Sequence, residues 1–109
     1  MQSETTLING VALLRLTGNV GQEENLLRET VLEMLRKGIT RIVLEMGGVP
    51  IIGSSALAEL VSSLVSAQRY KAVVKLANPT RNVRGILDIT KLSTVFDIYD
   101  SEEEALGSF

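Results

Sequence analysis

The sequence contains no cysteine, no histidine and no tryptophan. Without cysteine the chain has no thiolate nucleophile and no disulfide framework, which fits a reducing compartment. Because cysteine and histidine are both missing, the sequence excludes Cys/His metal sites, Ser-His-Asp triads and histidine acid–base chemistry. We therefore expect a protein that is not an enzyme and that binds neither a metal ion nor another cofactor.

Long apolar runs and an excess of one charge sign are also absent. The longest apolar runs, such as VALL and VPII, are far shorter than the roughly 20 residues of a membrane span. The opening residues MQSETTLING lack the basic start and apolar stretch of a secretory signal. The net charge is −2, from 11 basic and 13 acidic residues, and no basic run is long enough to follow a phosphate backbone. These features predict a cytoplasmic protein with no nucleic-acid partner and no membrane insertion.

Length and composition fit one folded unit. The chain has 109 residues, of which 45% are hydrophobic and 22% are charged. This is an ordinary balance for a globular protein, and the length suffices for one packed core but not for two. We predict a single domain over residues 1–109.

The first half of the chain contains signals for a hairpin, a helix and a buried strand. The stretches 5–9 and 11–17 flank Asn9-Gly10, a strong hairpin signal. Residues 22–37 have apolar side chains at helical spacing and are followed by Gly38, a natural helix end. The run 41–46 contains Ile, Val and Leu in succession, which is typical of a strand covered on both faces.

The second half repeats the alternation of helix and strand. We predict helices at about 54–69 and at about 78–89, the latter with Pro79 in its first turn, and strands at 71–77 and 95–99. Ser101 and the three acidic residues after it predict the capped start of a short final helix. The alternation predicts an α/β fold with a mixed, mostly parallel central sheet of about five strands and an opening β-hairpin.

Basic residues in the second half have two interpretations. They could form a patch for an acidic or phosphorylated partner, or they could be the solvated ends of helices and strands. We favour the second interpretation. The residues are Arg69, Lys71, Lys75, Arg81 and Arg84.

Ser54 and Ser55 precede the second helix and have two interpretations. Serine is among the best N-caps, and a cap hydroxyl contributes about 0.5–2 kcal/mol. Alternatively, the pair is a modification site. A phosphate at Ser54 would suit the helix dipole, while its burial in a partner's interface would carry a desolvation cost, so it would act as a release switch.

The second helix has an unusual outward face. Leu57, Leu60, Val61 and Leu64 cluster on one side, whereas the opposite side has mostly small residues. Exposed helix faces ordinarily favour Lys, Glu, Gln and Arg, and a small-residue face allows another protein to approach closely. We predict a docking face for a partner protein. Its residues are Gly53, Ser54, Ser55, Ala58, Glu59, Ser62 and Ser66.

Several segments together resemble a known family. LRLTGNVG, the helix ending in RKG, IVLEM followed by VPIIGSSALAEL, and the terminal DIYDSEEEAL resemble the STAS domain, most closely the bacterial anti-sigma factor antagonists. In that family a motif of the form Asp-Ser-Ser/Thr-Gly-Leu opens a helix, and its first serine is phosphorylated by a partner that is both serine kinase and anti-sigma factor. The resemblance places the phosphorylated residue at Ser54, with Ser55 as the other candidate. This chain has Gly53 and Ala56 where the family motif has Asp and Gly.

The resemblance implies a regulatory function. The unphosphorylated domain would bind an anti-sigma factor of the serine kinase/ATPase type and free the sigma factor, and phosphorylation would break the complex. Other STAS domains are unphosphorylated scaffolds or accessory subunits of larger assemblies, for example in lipid transport. The alternative is therefore a constitutive scaffold or accessory subunit, for instance in a lipid-transport or stress-sensing assembly, with the same face permanently buried.

Overall fold

Alternating strands and helices build a single five-stranded sheet with helices on both faces. The computed structural model describes residues 1–20 and 26–109. The described elements are β1 (Gln2–Ile8), β2 (Val11–Thr17), α1 (Leu26–Arg36), β3 (Arg41–Gly48), α2 (Ser54–Arg69), β4 (Val73–Ala77), α3 (Arg81–Ile89), β5 (Asp97–Tyr99) and α4 (Glu102–Gly107), with a short 3₁₀ turn at Leu92–Thr94.

The strands lie in the sheet in their chain order, β1-β2-β3-β4-β5. β1 pairs with β2 antiparallel, and the three remaining pairs are parallel. At the hairpin Asn9 and Gly10 have φ angles of 51° and 81°, the positive values that a two-residue type I′ turn requires. The predicted fold class, including the opening hairpin, is confirmed.

The two faces of the sheet carry cores of unequal size. The larger core lies under α1, α2 and α3 and includes Leu14, Leu44 and Leu76 from three neighbouring strands. The smaller core lies under α4, whose Ala105 packs against Leu13 and other strand residues. Because side chains alternate along a strand, β3 is buried on both sides, as its unbroken apolar run predicts.

Polar contacts fix α4 to the sheet. The Arg15 guanidinium donates two hydrogen bonds to the Glu102 carboxylate, at 2.7 and 3.1 Å. That hydrogen bond, more than the charge of Arg15, holds the pKa of Glu102 below its usual range. Lys75 Nζ donates to Ser108 Oγ at 2.8 Å and lies 4.3 Å from the centre of the Phe109 ring. The expectation of a solvated Lys75 is wrong, since the residue is 8% exposed beneath α4.

The element boundaries differ from the predicted ones in places. The predicted start of α1, residues 22–25, lies outside the described residues, while its end is followed by Gly38 with φ of 88°, as expected. Thr80 is the N-cap of α3, so Pro79 precedes the helix and the prediction of a first-turn proline is wrong. β4 and β5 begin two residues later than predicted. Ser101 caps α4 as predicted, its Oγ accepting from Glu104 N at 3.1 Å.

No helix within residues 1–20 and 26–109 is long and apolar enough to cross a membrane.

Candidate partner-binding site at the start of helix α2

The loop between β3 and α2 leads into Ser54, the first residue of α2, and is attached to the neighbouring strand end. Glu45 lies near the end of β3, and its Oε1 accepts from Gly47 N at 2.7 Å and from Asn78 Nδ2 at 3.1 Å. Asn78 follows β4 directly. Because β3 and β4 are parallel, their carboxyl ends meet at one edge of the sheet, and one carboxylate can join them.

A second attachment comes from the start of α3. Thr80 Oγ1 donates to the carbonyls of Val49 and Pro50, at 3.2 and 3.3 Å. The same oxygen accepts from Val83 N at 3.3 Å and so caps α3. One side chain therefore fixes the loop before α2 and the first turn of α3 together.

Close backbone approach explains the two glycines of this loop. A Cβ on Gly47 would overlap Asn78 Nδ2 and lie 2.8 Å from Glu45 Oε1. A Cβ on Gly48 would lie 2.7 Å from Thr17 Cγ2 and 2.8 Å from the Leu16 carbonyl oxygen. A larger residue at Gly48 would therefore push the backbone away from β2, whereas at Gly47 the Glu45 and Asn78 side chains would have to move.

Within residues 1–20 and 26–109, no side chain caps the first turn of α2. Gly53 is the N-cap, and Ser54 and Ser55 are the first two residues of the helix itself. The interpretation of either serine as the helix cap is therefore wrong. Both serines are exposed, and the first turn contains no acidic residue, so the positive end of the helix dipole is not offset locally.

The predicted residues Gly53, Ser54 and Ser55 share a shallow depression of about 360 Å³ with residues that the sequence analysis did not select. Asn19 and Val20, which follow β2, line one side. Ile51 lines another and is 59% exposed, whereas its neighbour Ile52 is 8% exposed. No sequence pattern separates these two isoleucines, because the loop has neither helical nor strand periodicity.

Further along α2, the outward face differs from the predicted one at Glu59. Ala58 is exposed, and Ser62 and Ser66 are partly exposed. Glu59 was predicted on this face, but it is only 6% exposed, and its Oε1 accepts from Leu27 N at 3.0 Å. Its placement on the outward face is wrong, since the carboxylate instead binds backbone N–H groups of α1.

Acidic residues do not supply a metal site within the described ranges, 1–20 and 26–109. There the structure contains no cluster of three or more His, Cys, Asp or Glu residues placed to hold a metal ion.

The motifs, fold and loop geometry agree with a family match. Residues 2–105 match the model of the STAS domain. The chain belongs to the STAS domain family. A protein of Thermotoga neapolitana, named as a proposed anti-sigma factor antagonist, is 35% identical over 74 residues, which span 68% of this chain and 66% of that protein. The match thus covers slightly less than two thirds of this STAS relative's length.

Solved STAS structures superpose closely. The crystal structure of a proposed anti-sigma factor antagonist of Thermotoga maritima has a TM-score of 0.85 at 25% identity, covering 97% of this chain and 92% of that one. A sulfate transporter family protein of Wolinella succinogenes gives 0.82 at 18% identity over 94% and 87%. The phosphorylated Bacillus cell fate determinant SpoIIAA gives 0.76 at 16% identity over 98% of each chain. The last two show the shared fold alone; the chain is a STAS domain with the fold of anti-sigma factor antagonists.

Proposed function

We propose that residues 1–109 act as a single cytoplasmic STAS domain that works as a bacterial anti-sigma factor antagonist. The chain binds an anti-sigma factor of the serine kinase/ATPase type through the surface around Ser54. Phosphorylation of Ser54 by that partner ends the complex. The chain is a substrate of the kinase and a binding protein, not a catalyst.

One observation carries this proposal: Ser54 is an exposed hydroxyl in a helix turn that no side chain among the described residues caps. Helices α3 and α4 use Thr80 and Ser101 as N-caps, but the Ser54 hydroxyl makes no cap hydrogen bond. A kinase can therefore use this hydroxyl without breaking a helix-cap hydrogen bond among the described residues. The similarity to proteins named as anti-sigma factor antagonists gives the partner class.

The physical effect of the phosphate supports release. A phosphoserine carries a charge of about −2 at neutral pH, and at the start of α2 the helix dipole favours it, so the fold is preserved. In a complex the same charge would be enclosed beside the apolar side chain of Ile51, which is 59% exposed in the free chain. Desolvation of the phosphate then opposes binding.

The test is the affinity for the serine-kinase anti-sigma factor encoded in the same genome, measured by calorimetry. We expect Ser54→Asp to weaken binding at least tenfold, about 1.4 kcal/mol. Ser54→Ala should bind like the wild type and accept no phosphate at residue 54. Ser3→Asp, on exposed β1, is the matched control and should bind normally. Equal binding by Ser54→Asp and the wild type would contradict the proposal.

Gly53 supports a second candidate function. It occupies the place of the family's acidic residue and offers no carboxylate beside Ser54. The alternative is a constitutive scaffold or accessory subunit of a larger assembly, in which this face is permanently covered. Mass spectrometry of the protein from its native cells distinguishes the two. A phosphate at Ser54 and a co-purifying kinase support the antagonist, whereas unmodified serines and a stable assembly support the accessory subunit.

A further inference from the structure

A second concave surface lies between α1 and α2, away from the loop that leads into Ser54. Its volume is about 570 Å³. The α1 wall is one helical stripe of residues at every fourth position, and the α2 wall consists of two adjacent stripes, one with the valines and Arg69 and one with Ser62 and Ser66. We call it the basic groove and define it by Arg28, Leu32, Arg36, Val61, Val65 and Arg69.

Apolar side chains are exposed along the basic groove, among the polar and charged residues that line it. Val61 and Val65 lie on consecutive turns of α2 and are 37% and 42% exposed, and Tyr70 at the end of the groove is 42% exposed. Ser62 and Ser66 lie beside the valines, and their small side chains project little into the groove. Single exposed apolar residues are common, but a run of them along a concave surface is typical of an interaction site.

The rim of the basic groove is positively charged although the chain has a net charge of −2. Among the described residues, Arg36 and Arg69 have no carboxylate within ion-pair distance, and Arg28 has only Glu29, at 4.0 Å. Arg36 and Arg69 also suit the last turns of their helices. Arg28 lies near the start of α1 (Leu26–Arg36), where the helix dipole does not favour a positive charge.

We propose that the basic groove binds an acidic amphipathic α-helix of a partner protein. Two neighbouring helices form a trough that a third helix can enter, with apolar anchors at i and i+4 against the exposed valines. Val61 and Arg69 are eight positions apart, so the wall is about 12 Å long and fits roughly two turns. Carboxylates beside the anchors would pair with the arginines, whose guanidinium groups bind carboxylates in a bidentate manner.

This site is separate from the phosphorylation proposed at Ser54. Ser62 and Ser66 of the predicted docking face also line the basic groove, but no residue that lines the depression around Ser54 does so. The two proposals can therefore fail independently.

The probe is a synthetic peptide of about 15 residues, long enough to form a helix, with leucines on one face and glutamates beside them. Titrated into the ¹⁵N-labelled full chain, it should shift the backbone amides of the basic groove with a Kd below about 1 mM. Binding should weaken as salt is raised from about 0.05 to 0.3 M.

Matched variants assign the contacts. Arg36→Gln combined with Arg69→Gln should weaken peptide binding at least about fivefold, because two charge pairs are lost. The control combines Arg41→Gln with Arg81→Gln, two exposed arginines outside the groove, and should bind like the wild type. Val65→Ser should also weaken binding. Ser54→Asp should leave peptide affinity unchanged.

Four outcomes would overturn the proposal. The first two are the absence of amide shifts up to about 1 mM peptide and shifts confined to another surface. The third is equal binding of a peptide that has lysine in place of glutamate. The fourth is unchanged peptide affinity in the double glutamine variant. A short single-stranded DNA or an anionic phospholipid vesicle that perturbs the groove more strongly than the peptide also counts against it, because the groove would then recognise phosphate.

Discussion

Gly53 determines how the first turn of α2 is capped. Its φ of −113° is accessible to any residue, and an added Cβ meets no atom within 4 Å. Gly53→Asp places a carboxylate where it can accept from free N–H groups of the first turn. We expect the variant to gain a few tenths of a kcal/mol in the free energy of unfolding. Urea denaturation measures this free energy. The control Gly53→Ala, which adds a Cβ but no acceptor, should lose stability. A gain in stability in both variants would contradict the capping explanation.

Ile51 is expected to anchor the partner beside Ser54. Because it is 59% exposed in the free chain, Ile51→Ser should leave the unfolding free energy within about 0.5 kcal/mol of the wild type. Truncation of an apolar anchor at an interface costs about 1–2 kcal/mol of binding, so we expect at least about fivefold weaker affinity for the anti-sigma factor. Ile89→Ser is the matched control, since Ile89 is 79% exposed on α3. Equal affinities of the two variants would exclude Ile51 from the interface.

Among the elements, α2 shows what the apolar pattern alone misses. The sequence places Leu57, Leu60, Val61 and Leu64 inward. Leu60 is fully buried as predicted, but Val61 is 37% exposed, and Ala56 and Ser63, each one residue before a predicted inward leucine, are buried. A shift of one residue turns the helix by about 100°. Small residues let α2 lie close to its neighbours, and hydrophobicity does not rank them as core positions. Glu59 is buried for the same reason.

Glu59 joins α2 to α1 and should stabilise both helices. Its Oε1 accepts from Leu27 N at 3.0 Å and from Arg28 N at 3.4 Å. Glu59→Ala removes the acceptor from a buried N–H group and should lower the free energy of unfolding by about 1–3 kcal/mol. Glu59→Gln keeps one acceptor oxygen and should lose less. Urea denaturation compares them, and equal stability of the alanine variant and the wild type would show that water replaces the carboxylate.

The contact between α4 and β2 should depend on pH. Arg15 lowers the pKa of Glu102 in the folded chain, chiefly through a hydrogen bond. A lowered carboxyl pKa stabilises the fold above the ordinary carboxyl value, and that contribution is lost as the pH falls through the folded-state pKa. Glu102→Gln should therefore unfold at lower urea concentration than the wild type near pH 7, and this difference should vanish near pH 2. Glu103→Gln, in the same helix turn, is the control. If Glu102→Gln and Glu103→Gln had identical pH profiles of stability, the assignment of the effect to Glu102 would be contradicted.

Across the whole molecule, the fold was predictable from the sequence but the geometry of the site was not. The alternation of strand and helix patterns depends on local residues, and it predicts the five-stranded sheet correctly. The site depends on contacts between distant positions: Asn78 donates to Glu45, and Thr80 donates to the Val49 carbonyl, each pair more than 30 residues apart. No local pattern encodes such pairs. Ser54 is proposed as the modified residue because a motif, and not periodicity, marks it.

The proposed switch acts through surface charge and should leave the rest of the molecule unchanged. Ser54→Asp adds a carboxylate at an exposed position in the first turn of α2, so we expect the free energy of unfolding to stay within about 0.5 kcal/mol of the wild type. Amide hydrogen exchange should remain slow in β2, β3 and β4. Ser63→Asp is the contrast: Ser63 is fully buried on the same helix, and an unpaired charge there should cost several kcal/mol. Faster amide exchange across the central strands of Ser54→Asp would indicate that phosphorylation acts by changing the fold. Slow exchange together with weaker partner binding would leave charge at the interface as the cause of release.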